Sequence, residues 1–120
     1  MGDVWLPTQA VYFDEFPAGG FVSVPRDHLK LYLALANGGE HKGVRILKPD
    51  TVEQMLTVQA DTPFFHGKLQ LNERQGLICW LKDWATPDRA FHHGDGHMYG
   101  WRTMAIAWPE HDTAIVYAFN

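Results

Sequence analysis

Thr103-Met104-Ala105-Ile106-Ala107-Trp108, then Pro109-Glu110-His111-Asp112, then Thr113-Ala114-Ile115-Val116-Tyr117-Ala118-Phe119 decides the fold of this chain. Two runs rich in branched and aromatic residues, separated by four turn-forming positions, predict a β-hairpin. Both runs are apolar at nearly every position instead of alternating, which predicts a sheet covered on both faces. Upstream, Gly76 to Leu81 is a short apolar run bounded by polar residues and reads as a further strand.

Two helices precede these strands. From about Arg26 to Asn37, Leu29, Tyr32, Leu33 and Ala36 recur at helical spacing, and Leu31 and Leu35 add a second apolar flank. Ser23 is placed as the N-cap, Pro25 suits the first turn, and Asp27 suits the positive helix end. Asn37-Gly38-Gly39 ends the helix, because glycine takes the left-handed conformation cheaply. A shorter helix runs from Pro49 to about Thr57, with Val52, Met55 and Leu56 on one face. Gly43 to Leu47 between them reads as a short extended connection. Ala60 to Gln75 is a long loop or irregular hairpin, with Asp61, Pro63, Gly67 and Asn72 as turn signals. The expectation is a single α+β domain over residues 1–120: an antiparallel sheet with packed helices. Two helices are too few to cover both faces of such a sheet.

Composition narrows the function classes. Apolar residues make up 46% and charged residues 20%, which is a globular balance and not a disordered one. The formal net charge is -4 and the ten Lys and Arg residues are scattered, which argues against nucleic acid as a partner. No apolar run reaches the length of a membrane span, and Met1 to Pro7 lack the basic flank and apolar stretch of a signal peptide. Cys79, the single cysteine, excludes an internal disulfide. Its apolar neighbours favour a buried, inert thiol over a nucleophile.

Chemistry is concentrated in Phe91-His92-His93-Gly94-Asp95-Gly96-His97-Met98-Tyr99-Gly100-Trp101-Arg102. The glycines would serve a tight turn between strands. His92, His93 and His97 with Asp95 offer metal-ligand chemistry. Adjacent histidines on an extended segment point to opposite faces, however, so no metal site is assigned. Trp101 is the tryptophan best placed to touch a substrate, and Arg102 has the fork that pairs with a carboxylate. Trp80 and Trp108 sit in apolar runs and are expected in the core; Trp84 is the remaining candidate cleft residue. His28, His41, His66 and His111 are isolated and expected at the surface or in turns.

Taken in order, the pieces resemble the C-terminal half of the β-lactamase-related serine hydrolases. That family includes class C β-lactamases, penicillin-binding carboxypeptidases, D-aminopeptidases and several esterases. The matching text begins at Pro17-Ala18-Gly19-Gly20-Phe21-Val22-Ser23 and continues through the Asp27 helix to Asn37-Gly38-Gly39. Gly43-Val44-Arg45-Ile46-Leu47-Lys48-Pro49-Asp50-Thr51-Val52-Glu53-Gln54-Met55-Leu56 follows. It resumes at Gln75-Gly76-Leu77, passes the His/Gly segment, and ends with Trp108-Pro109-Glu110 and the strand to Asn120. The poorest match is Ala60 to Arg74.

The resemblance implies acyl transfer. In the family a serine of a Ser-x-x-Lys motif attacks a carbonyl, and the lysine and a Tyr-x-Asn tyrosine move protons. A third motif (Lys-Thr-Gly, His-x-Gly or Trp-x-Gly) lines the site, where backbone N–H groups hold the oxyanion. Only the third motif has counterparts here. Ser23 is the sole serine and is followed by Val24-Pro25-Arg26, and Tyr12, Tyr32, Tyr99 and Tyr117 are not in a Tyr-x-Asn setting. His92-His93-Gly94 supplies His-x-Gly with two extra residues before Gly100, and its oxyanion N–H would come from Asp95. Gly94-Asp95-Gly96 keeps the spacing to Gly100 but has glycine where a side chain would stand, and its N–H would come from His97. The first register is favoured because it offers a substrate a side chain.

The expectation is therefore a truncated serine hydrolase, cleaving an amide or ester of a small-molecule or peptide-like substrate. It needs no cofactor and is inactive as this chain alone. The rival expectation is a non-catalytic binding or assembly module, as a homo-oligomer or completed by another chain, motivated by a sheet with too little chain to cover it.

Overall fold

A computed structural model of the chain describes residues 23–60, 65–66, 69–70, 73–77, 79–83, 85–98 and 101–119. Helix α1 spans Pro25–Ala36 and begins one residue later than a Ser23 cap requires. Pro25 occupies the first helical position and holds Val24 extended (φ -108°, ψ 147°), so Val24 is the N-cap. Ser23 Oγ instead donates 3.4 Å to the Val24 carbonyl. The other end follows the sequence reading. Gly38 and Gly39 have φ of 61° and 91°. Gly39 N–H reaches the Ala34 carbonyl (2.7 Å) and Gly38 N–H the Leu35 carbonyl (3.3 Å), a Schellman stop. A Cβ on Gly39 would collide with the Leu47 carbonyl.

The following segment is a hairpin and not a plain extended connection. β1 (Glu40–His41) pairs with β2 (Val44–Arg45) across Lys42-Gly43, which have φ of 52° and 80°. Positive φ at both loop positions suits a two-residue turn with the twist of the strands it joins. The Arg45 guanidinium locks this hairpin onto the helix end. It donates to the Gly38 carbonyl (2.9 Å), the Leu47 carbonyl (3.0 Å) and the Glu40 carboxylate (2.7 Å). Helix α2 (Pro49–Met55) buries Val52. Beyond it β3 (Phe65–His66) pairs with β4 (Leu69–Gln70), giving the 60–75 stretch its irregular hairpin; Asp61, Pro63, Gly67 and Asn72 lie outside the described residues.

The main sheet has five antiparallel strands in sequence order: β5 (Glu73–Gln75), β6 (Trp80–Lys82), β7 (Ala90–Met98), β8 (Trp101–Trp108) and β9 (Thr113–Phe119). The β8–β9 connection has the expected four residues, a 3₁₀ turn at Pro109–His111 and Asp112 in the left-handed region (φ 45°). The expected strand over Gly76 to Leu81 is shorter. Gly76 N–H donates to the Cys79 carbonyl (2.9 Å) and Leu77 N–H to the Met55 carbonyl (3.0 Å). The chain thus turns against the end of α2 before β6 begins. A Cβ on Gly76 would stand 2.5 Å from the Met55 oxygen, so glycine is what permits this approach.

One face of the sheet is closed by α1. Tyr32 stacks on Phe91 with ring centroids 5.6 Å apart. Cys79, Leu81, Ala105 and Ala107 complete the buried cluster, and Leu35, Ala36, Leu56, Ala114 and Val116 pack against it. Full burial of a side chain the size of Leu81 or Phe91 stabilises by about 1.5–3 kcal/mol. Ala105 and Ala107 are small where the helix crosses, which lets α1 lie close. Leu31 is exposed, but Leu35 of the same flank packs against the core cluster and Ala34, two positions from Tyr32 and so on another side of the helix, is buried; α1 is covered on more than one side.

The opposite face departs from the expectation of two covered faces. Ile115, Tyr117 and Phe119 alternate with Ala114 and Val116 along β9, and they are 52%, 43% and 57% exposed. Trp80 and Trp108 are half-buried at strand ends and are not members of the core cluster. The architecture is α+β.

Candidate functional site

The His/Gly segment forms most of β7 and the start of β8. Ala90, Phe91 and His92 pair on both sides: with Lys82, Leu81 and Trp80 of β6, and, for Phe91 and His92, with Ala107 and Ile106 of β8. His92 is therefore inside the sheet and only 7% exposed. β6 begins at Trp80, so among the described residues nothing pairs with His93 to Met98 on that side. Among the described residues, the motif half of β7 is a sheet edge held by β8 alone.

A bulge lies at the junction of the two halves. His92 pairs with Ile106 and Asp95 with Met104, so His93 and Gly94 together stand opposite the single residue Ala105. A bulge leaves its extra residue outside the ladder, bends the strand and re-aims the groups beside it. Pairing resumes with Gly96 opposite Thr103, His97 opposite Arg102 and Met98 opposite Trp101. Gly96 has a specific requirement: a Cβ there would run into the Thr103 hydroxyl. The side chains of His93, Asp95 and His97, and all of Tyr99, Gly100 and Trp84, lie outside the described residues.

Trp101 is 49% exposed and Arg102 is exposed as well. They are neighbours on one strand, so they project to opposite faces and do not form one binding surface. Among the described residues, no group of three or more His, Cys, Asp or Glu side chains is arranged to hold a metal ion.

Cys79 is buried, and desolvation pushes its thiol up to about 11. Its sulfur lies 3.3 Å from the Met55 carbonyl, with the S–H as donor. Both features fit the inert thiol expected from its neighbours.

A depression of about 550 Å³ lies at the other end of the β7–β8 hairpin, lined by Ala85, Thr86, Pro87, Arg89, Glu110 and His111. Arg89 pairs with Glu110, and His111 Nε2 lies 3.2 Å from the Asp88 carboxylate. These contacts join the β6–β7 loop to the β8–β9 turn. Sequence reasoning missed them because the partners are more than twenty positions apart; the one local signal was charge beside predicted turns. Residues at this end cannot extend the His/Gly segment, which leads away from it along β7.

Comparison with known proteins gives one match. A family model described as Beta-lactamase matches residues 1–120. No curated protein and no solved structure matches the chain.

Proposed function

The chain belongs to the beta-lactamase family, and from that premise we propose that it supplies the substrate-edge strand of a serine hydrolase that cleaves an amide or ester through an acyl-enzyme. The observation that carries this reading is the edge of β7 from His93 to Met98, unpaired on one side among the described residues and entered through the bulge at His93-Gly94. An extended, peptide-like substrate can lie along such an edge and exchange main-chain hydrogen bonds with it. The bulge supports the His92-His93-Gly94 register, because it absorbs one of the two extra residues within the ladder. In that register the Asp95 N–H is the oxyanion donor. Burial of His92 moves the burden of recognition from its imidazole to the backbone.

The nucleophile is not among these residues. Ser23 is exposed at the foot of α1 and has no lysine three positions on. The proposed serine and lysine therefore belong to polypeptide outside the 120 residues. There the serine oxygen adds to the carbonyl, the oxyanion forms against the β7 backbone, and the leaving group departs with a proton. Water then releases the acyl group.

The test has two arms. The 120-residue chain should take up no fluorescent penicillin or fluorophosphonate probe. The coding DNA flanking it should carry in-frame Ser-x-x-Lys and Tyr-x-Asn motifs, and the longer polypeptide should be labelled at that serine. Labelling of Ser23 would overturn the inactivity of this chain and place the nucleophile within it, and flanks without a Ser-x-x-Lys would remove the hydrolase reading.

A second reading is favoured by the exposed Ile115, Tyr117 and Phe119: a module that functions by assembly. The Tyr117 and Phe119 rings stack at 5.8 Å on the open face, and contiguous exposed apolar groups mark interaction surfaces.

A further inference from the structure

We infer that Thr103 determines which acyl groups the β7 edge accepts, by presenting its hydroxyl to a neutral amide through the gap that Gly96 leaves. This rests on the hydrolase reading above and names the substrate class for its edge. Gly96 and Thr103 stand directly opposite each other across the β7–β8 ladder, and directly opposed residues of an antiparallel pair share a face. A Cβ on Gly96 would run into Thr103 Oγ1 and stand 3.6 Å from the Thr103 Cβ. The hydroxyl therefore occupies the place of the side chain that Gly96 lacks. A group rooted in β8 is thus delivered across the ladder to the motif strand. It arrives between Asp95 and His97, whose N–H groups are the oxyanion donors of the two registers, so it lies beside the reacting carbonyl in either one. Gly96 is exposed and Thr103 half-buried, which leaves the gap open to a ligand on the edge.

The neighbours of Thr103 set the chemistry of this subsite. Ala105 and Ala107, two and four positions on, are buried in the cluster with Tyr32 of α1. Side chains alternate along a strand, so Trp101 and Thr103 fall on the same side of the sheet as that cluster. This face of β8 therefore runs from an indole ring, 49% exposed, through a hydroxyl to two sealed alanines, and it carries no charged residue. Arg102 projects to the other face. An acyl group bearing a carboxylate finds no cation from β8 here, whereas a neutral amide finds a partner. A threonine hydroxyl both donates and accepts, so it serves the N–H or the C=O of that amide. Residues two apart on a strand are about 7 Å apart, which places the indole under the next apolar group of the substrate. A site built around one placed hydrogen bond rejects an analogue that lacks the matching group far better than an apolar pocket rejects a shorter chain.

Hydrolysis of two p-nitrophenyl esters by the longer polypeptide that carries the Ser-x-x-Lys serine tests the inference. The N-acetylglycinate and the pentanoate have acyl chains of the same length and differ in an amide against two methylenes. Thr103→Val keeps the branched shape and removes the hydroxyl. It should lower kcat/KM for the N-acetylglycinate by roughly fivefold or more and that for the pentanoate by less than about twofold. Thr103→Ser keeps the hydroxyl and should hold the ratio of the two esters within about twofold of the wild type. The pentanoate rate reports whether each variant is folded, since a merely structural role for Thr103 would lower both esters together. A polypeptide that neither takes the fluorophosphonate probe nor cleaves either ester overturns the hydrolase reading and this inference with it. A labelled enzyme that turns over neither ester, or in which Thr103→Val changes both esters equally or not at all, overturns the subsite and leaves the hydrolase reading standing.

Discussion

On the face of the sheet toward α1, Leu81, Phe91, Ala105 and Ala107 are sealed from water, whereas on the far face Ile115, Tyr117 and Phe119 stand open. The residue types barely differ. What differs is that one face has a helix with a matching stripe, centred on Tyr32, and the other has no such cover from the described residues. Apolarity in a strand thus records a demand for cover, and the described residues meet that demand on one side only. The closed face accounts for the stability of the fold, and the exposed one is what the assembly reading rests on.

The largest expected break in this contrast is Phe91→Ala. It removes the ring stacked on Tyr32 and leaves a cavity in the closed face, at a cost of about 3–5 kcal/mol. Urea denaturation would read this as a lower midpoint with an unchanged slope. An unchanged midpoint would mean the closed face is not the core.

A weaker effect should follow from alkaline pH through Cys79, whose thiol is raised from 9.0 to about 11 in the fold. The unfolded chain loses this proton first. The thiol's contribution is therefore complete below about pH 9 and is lost as pH rises through the folded value. Cys79→Ala should flatten stability between those limits; an identical alkaline decline in both proteins would place its origin elsewhere.

The smallest effect belongs to the open face. Ile115→Ser, measured in dilution that keeps copies apart, should change stability by about 0.5 kcal/mol or less. A loss on the scale of Phe91→Ala would show that the far face is covered after all.

Features governed by local chemistry were legible in the sequence. The Asn37-Gly38-Gly39 stop, the α2 start at Pro49 and the four-residue turn after Trp108 each depend on residues within a few positions. Errors arose where a distant partner decided the outcome. Gly76 to Cys79 is an apolar run that turns because Met55, more than twenty positions earlier, accepts its hydrogen bonds. One error was local: Ser23 lost the cap position because Pro25, two positions on, fixed the helix start. At the candidate site, the segment was identifiable from its density of His and Gly. The bulge was not, since glycine between histidines suits a turn as well as an extra strand residue. Which half of β7 is buried depends on where β6 begins, and the sequence around Trp80 carries no mark of it.

The bulge at His93-Gly94 has a consequence for how this segment can vary in length. Two residues there face one on β8, so removing one would straighten the strand and leave Asp95 to Met98 opposite the same β8 residues. Elsewhere in β7 or β8 a single deletion would carry every following side chain to the wrong side. The motif strand therefore holds a built-in allowance for insertion and deletion, placed where β7 stops being core and becomes edge.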